Sequence, residues 1–193
     1  MTSPDSVEGS ERIRLFLALR LPEDVLDAFA AWQDAVLSGD LRVVPREHLH
    51  VTLAFLGHRP ASELPAILEA LRAAAAPPRD YRLAVSRYRE TRAVAMVVLE
   101  DGGGGATALA DDVQGRLAEL GVYEHEGRPW LPHVTVARFR DRPRLEPVLD
   151  TLRTRVPIVP SDAAAFLSRP GPKGARYEPL ESMDLTPVSL SGG

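Results

Sequence analysis

The chain has 193 residues, of which 45% are hydrophobic, 26% charged and 6% aromatic, a balance that excludes extended disorder and fibrous architectures. It contains no cysteine, which rules out disulfides, thiolate nucleophiles and thiolate-bound zinc, and makes a reducing cytoplasm the expected compartment. A formal net charge of −4 argues against a protein that coats long nucleic acid, but not against one that grips a single phosphate.

Ile13 to Leu19 is a short apolar run that predicts a buried strand. Pro22 opens a helix to Leu37, with Glu23 and Asp24 in its first turn and Val25, Leu26, Phe29, Trp32 and Val36 on one face. Leu49 to Leu56 predicts a strand ended by Gly57, and Ser62 to Ala76 a helix stopped by Pro77 and Pro78. Tyr81 to Tyr88 and Ala93 to Leu99 read as a hairpin, followed by a glycine-rich turn from Asp101 to Gly105. A helix from Thr107 to Leu120, a strand from His133 to Phe139 and a short helix from Leu145 to Arg153 come next. Strands over Ile158 to Ser168 and Tyr177 to Leu185 flank a Pro/Gly-rich loop, Arg169 to Gly174, expected at the mouth of a cleft. Residues 189–193 read as a frayed tail, leaving 1–188 as one domain.

This order predicts an α+β protein with antiparallel or mixed sheets. No apolar run approaches the roughly 20 residues of a membrane helix, so no membrane contact is expected. The polar, acidic stretch Met1 to Ser10 does not read as a signal peptide.

The sequence contains an internal echo. His50-Val51-Thr52-Leu53-Ala54 returns as His133-Val134-Thr135-Val136-Ala137, each copy in a strand preceded by a helix. The separation is too long for a solenoid repeat and fits two similar lobes, each giving one strand to a shared centre. Side chains alternate along a strand, so His50 and Thr52 share one face while Val51 and Leu53 share the other. His133 and Thr135 repeat the arrangement. If the lobes oppose these faces, two imidazoles and two hydroxyls line one cleft. Such a set suits a phosphodiester: one imidazole activates the attacking oxygen, the other protonates the departing one, and the threonines hold the non-bridging oxygens. This chemistry requires no metal and no cofactor.

These motifs resemble the 2H phosphoesterases, and most closely the RNA 2′,3′-cyclic phosphodiesterases, also called 2′-5′ RNA ligases. The resemblance runs through Arg14-Leu15-Phe16-Leu17-Ala18-Leu19 with Leu21-Pro22, through His48 to Leu53 with Phe55-Leu56-Gly57, and through Arg128-Pro129 with Leu131 to Arg138. Tyr177 to Leu180 is similar to the closing strand. Leu41-Arg42-Val43-Val44 departs from the family, which usually carries a tryptophan before the first motif. The resemblance implies a bilobal fold with pseudo-twofold symmetry, two sheets lining a central cleft, and helices outside. It implies metal-independent hydrolysis of RNA ends or nucleotides carrying a 2′,3′-cyclic phosphate. Nothing in the sequence demands a dimer, so a monomer is expected. His50 would be the general acid, His133 the general base, and Thr52, Thr135 and Arg138 the phosphate ligands. The same chemistry on a small cyclic nucleotide or an ADP-ribose cyclic phosphate, and a non-catalytic RNA-end binding module, are the competing readings.

Arg138 conflicts with simple strand parity. It lies five residues after His133, an odd spacing that points it away from the cleft unless a bulge or strand end intervenes near Ala137. His48 reads as half-exposed and structural, although His48-x-His50 could chelate a metal. His58 and His125 read as solvated, and Phe55 as core; Trp130 reads as core or base-stacking. Arg138, Arg140, Arg142 and Arg144 form an alternating basic run, either steering RNA or simply exposed.

Overall fold

The computed structural model describes residues 11–125, 127–153, 156–171 and 174–187; the expected frayed tail lies outside them. Strand β1, Arg12–Arg20, buries Leu15 to Leu19. Helix α1, Glu23–Val36, follows Pro22 and turns Leu26, Phe29 and Trp32 inward. Strands β2, Arg42–Val43, and β3, His50–Pro60, are separated by a 3-10 turn, Arg46–His48. Helix α2, Leu64–Ala75, precedes the hairpin β4, Leu83–Glu90, and β5, Val94–Asp101. Helix α3, Gly105–Glu119, leads to β6, His133–Arg138. Strands β7, Asp162–Arg169, and β8, Arg176–Asp184, close the sheet.

The eight strands form one sheet in the order β4-β5-β6-β3-β1-β7-β8, with β2 paired to β6. Every ladder is antiparallel. The expected α+β class and lobed plan are present, but the two sheets expected are one: the halves are continuous where β3 meets β6 at the Val51–Val134 pair and where β2 pairs with β6. The join falls on equivalent positions of the echo. A local twofold axis therefore passes between these two valines, relating β1-α1-β3 to β5-α3-β6.

One sheet face packs against the helices, where Val51, Leu53, Val134 and Val136 join Leu109, Val113 and Leu117 in the main core. The other face carries a smaller cluster of Phe16, Ala18, Ala164 and Phe166, with Tyr177 against it. No helix among the described residues is long and apolar enough to cross a membrane.

The sequence misplaces three elements. Leu145 to Arg153 is not a helix: Pro147 has no amide to donate, and the amides of Arg144 and Leu145 go to the Glu90 carboxylate instead. Only one turn survives there, with Leu152 and Arg153 amides donating to the Leu149 carbonyl. The strand expected from Ile158 starts at Asp162, because Pro157 and Pro160 interrupt the ladder and leave Ile158 bridged singly to Leu83. Gly57 does not end β3; it sits inside the strand at φ +67°, beside a bulge at Leu56.

Candidate active site

Pleating sorts the motif residues. Val51 and Val134 are fully buried against the helices, while His50, Thr52, His133 and Thr135 are half-buried on the opposite face. Because Val51 pairs antiparallel with Val134, the register sets His50 next to Thr135 and His133 next to Thr52. The twin pairs therefore interleave about the local axis.

Each imidazole is oriented in the same way. His50 Nδ1–H donates to the His48 carbonyl at 2.7 Å, and His133 Nδ1–H donates to the Leu131 carbonyl at 2.8 Å. A carbonyl only accepts, so the proton on each ring is fixed at Nδ1 and Nε2 remains the exchangeable nitrogen. With His50 neutral, the Thr52 hydroxyl donates to its Nε2 at 3.1 Å.

Their surroundings differ. His50 stacks on Phe16 at 4.9 Å and meets Tyr177 edge-on at 5.7 Å, with Phe166 beyond. No ring contact of this kind involves His133 among the described residues. Burial pushes the His50 imidazole down from 6.5 to about 4, opposed by the His48 carbonyl and reinforced by the charges of His133, His48 and Arg138.

A bulge answers the parity problem at Arg138. Ala95 pairs with Ala137, but Met96 pairs with Thr135, so Val136 is an extra residue in β6. It reverses the alternation and puts Arg138 on the face of His133 and Thr135. The same device recurs in β3, where Leu17 pairs with Ala54, Ala18 pairs with Thr52, and Leu53 is extra. Phe55 occupies the position equivalent to Arg138 and is turned the same way. It is not core, as its composition suggests, but 51% exposed on the cleft face.

Two buried glutamines hold these bulges, and sequence reading gave no sign of them. Gln33 of α1 donates through Nε2 to the Val136 carbonyl at 2.8 Å and to the Val44 carbonyl at 3.0 Å. Gln114 of α3 donates to the Leu53 carbonyl at 2.7 Å. Each helix thus ties down the bulge of the opposite half. Trp130 also crosses, donating from its indole to the Thr52 carbonyl at 2.9 Å while packing on the core. Gln114→Leu, which keeps the bulk and strands a buried carbonyl, is expected to lower unfolding free energy by about 1–3 kcal/mol. Denaturant unfolding measures this; an unchanged midpoint would deny the glutamine that role.

A cavity of about 450 Å³ opens on this face. Its wall includes His50, Thr52 and Thr135, together with Phe16, Phe55 and Tyr177. His133 is not part of the wall, but its charge reaches His50 and the register places it beside Thr52. Arg14, Arg42 and Arg138 supply cations, and among the described residues no Asp or Glu lines the cavity. Arg42 takes the stretch where the family usually has tryptophan, paired with Arg138 across β2 and β6. Pro170, Gly171 and Gly174 of the Pro/Gly-rich loop form part of the mouth, while Pro172 and Lys173 lie outside the described residues.

His48 is half-exposed, as expected, and lines the cavity against Tyr177 at 4.5 Å. Among the described residues no group of three His, Asp or Glu could hold a metal ion, so His48 and His50 gain no third ligand. His58 and His125 are exposed. The basic run does not continue as a strand: Arg138 alone of the four lines the cavity, Arg142 pairs with Glu90 at 3.0 Å, and Arg140 is exposed.

A family model described as the 2′-5′ RNA ligase superfamily matches residues 21–169. An RNA 2′,3′-cyclic phosphodiesterase of Thermus thermophilus is 34% identical over 184 residues, covering 90% of each chain. A protein of the same name from Methanocaldococcus jannaschii is 23% identical over 128 residues, covering 66% of this chain and 72% of that one. A crystal structure of a Thermus thermophilus protein superposes with a TM-score of 0.76 at 30% identity, covering 91% of this chain and 100% of the other. The E. coli LigT structure complexed with phosphate is similar in fold, with a TM-score of 0.71 at 22% identity, covering 92% of this chain and 99% of that one.

Proposed function

Since this chain belongs to the 2′-5′ RNA ligase superfamily, we propose that it hydrolyses RNA 2′,3′-cyclic phosphate ends to 2′-phosphates by metal-independent acid–base catalysis. The observation that carries this reading is the Val51–Val134 pair, flanked on one face by two imidazoles and two hydroxyls.

In this mechanism His133 Nε2 takes a proton from water as the water oxygen attacks phosphorus. The bond from phosphorus to the 3′-oxygen breaks, and protonated His50 delivers its Nε2 proton to that oxygen. Thr52 and Thr135 donate to the non-bridging oxygens, and Arg138 balances their charge. Burial holds the His50 imidazole near 4, so its proton must be drawn in by the phosphate anion. A 5′-hydroxyl in place of water gives a 2′-5′ linkage by the same displacement, and the reverse reaction exchanges the two imidazole roles. Both motifs come from one chain, which supports a monomer acting as one bilobal catalytic unit, and the cysteine-free composition suits a reducing cytoplasm.

The reading is tested with a short RNA bearing a 2′,3′-cyclic end, incubated in EDTA. The expected product keeps phosphate on the 2′-hydroxyl. A 3′-phosphate product, or turnover only after zinc or manganese is added, would overturn it. Tight binding with no product would favour an RNA-end binding module instead. The cavity is the size of a single-nucleotide site, which keeps small cyclic nucleotides as a second substrate reading.

A further inference from the structure

The cavity holds more cationic charge than one cyclic phosphate monoanion uses. Arg138 lies beyond Thr135 on β6, with Arg42 paired beside it. Arg14 belongs to a different part of the wall. It lies on β1 two residues before Phe16, on the same face and about 7 Å along the strand. Phe16 in turn stacks on His50. Arg14 is therefore about one sugar–phosphate unit from the reacting centre.

Its immediate surroundings suit an anion. The Arg14 guanidinium lies 5.0 Å from the centroid of the exposed Phe55 ring, which holds the cation in place without neutralising it. Arg14 has no carboxylate partner among the described residues, whereas Arg46, Arg59, Arg79 and Arg116 are all ion-paired. Next along the sheet, the register of Leu15 with Leu167 brings the buried Ser168 beside it, and Ser168 also lines the cavity. A guanidinium with a neighbouring hydroxyl is a phosphate-binding pair.

Resting on the function proposed above, we propose that Arg14, seated on Phe55 and flanked by Ser168, binds a second phosphate, the one on the 5′-oxygen of the ribose carrying the cyclic phosphate. The cyclic phosphate closes the 3′ side of that ribose, so a phosphate one unit away belongs to its 5′ side. An RNA chain places its last internucleotide phosphate there, and a nucleoside diphosphate derivative does the same. A bare nucleoside 2′,3′-cyclic phosphate has nothing to offer Arg14.

The test compares adenosine 2′,3′-cyclic phosphate with its 5′-phosphorylated form, its 5′-diphosphate form and the adenylyl dinucleotide ending in the same cyclic phosphate. A 5′-phosphate remote from the chemistry is bound alike in ground and transition states, so it should lower KM by about 10–100-fold with little change in kcat. Arg14→Gln is expected to erase that preference. Replacing the dinucleotide linkage by an uncharged methylphosphonate should raise KM for the unmodified protein by the same factor, and the two losses should not add. A larger gain for the dinucleotide than for the diphosphate identifies RNA as the source of the phosphate, and the reverse identifies a small diphosphate. Equal KM for all four substrates, or an Arg14→Gln loss of the same size on every one, would overturn the proposal. If the unmodified protein turns over none of them, the function reading fails separately. The subsite is then judged by calorimetric titration: tighter binding of adenosine 2′,5′-bisphosphate than of adenosine 2′-phosphate, lost in Arg14→Gln, sustains it, and equal affinities end it.

Discussion

Replacing either His50 or His133 by alanine is expected to lower kcat/KM on an RNA 2′,3′-cyclic end by about 10²–10⁴-fold, the range for losing a placed acid or base. The double variant should fall only slightly further, because a displacement that lacks its acid gains little from keeping its base. Folding should survive in both single variants. The rings project from the cleft face, while the residues that join the two halves, Val51 and Val134, lie on the opposite face and are untouched. Circular dichroism confirms the fold, and steady-state kinetics reads the loss. Near-native rates in both single variants would place the chemistry elsewhere. His50→Gln is the useful control, since it refills the space between Phe16 and Tyr177 without supplying an exchangeable proton near neutral pH.

Acid should weaken the fold through His50. Its native value lies near 4 against 6.5 for a free imidazole, so between those values the unfolded chain holds a proton that the native state does not. Stability is therefore fully present above about pH 6.5 and is lost as pH falls towards 4, by about 3 kcal/mol in all from this residue. His50→Gln should remove that part of the slope, measured as the difference in unfolding free energy between pH 7 and pH 4. Inorganic phosphate should act the opposite way on the imidazole: an anion in the cavity favours the charged ring and raises its value. NMR titration of the His50 ring with and without phosphate reads this directly. An imidazole that titrates near 6.5 in the empty protein would remove the need for substrate-drawn protonation.

Arg138 shows how far residue spacing carries. Its distance from His133 is visible in the sequence, and so is the demand for a bulge if it is to face the cleft. Which residue bulges is not visible, because the extra residue is defined by register against β5, a neighbour more than thirty residues earlier in the chain. Phe55 illustrates the same limit. Composition alone assigns a phenylalanine to the core, yet an identical bulge at Leu53 turns it outward. Gln33 and Gln114 carry no local signal, since the bulge carbonyls they hold, Val136 and Leu53, lie in the opposite half.

Local rules account for the alternation of apolar and functional residues along β3 and β6, for most helix spans, and for the pairing of each histidine with a threonine two residues on. These follow from the two-residue pleat and the helical repeat, which depend only on neighbours in the chain. Tertiary structure decided the rest. It joined the halves at Val51 and Val134, reversed the faces of Arg138 and Phe55, desolvated one imidazole against Phe16 and Tyr177, and set Arg14 against the Phe55 ring. Each of these depends on which distant segments come to lie side by side, and no short-range pattern records that.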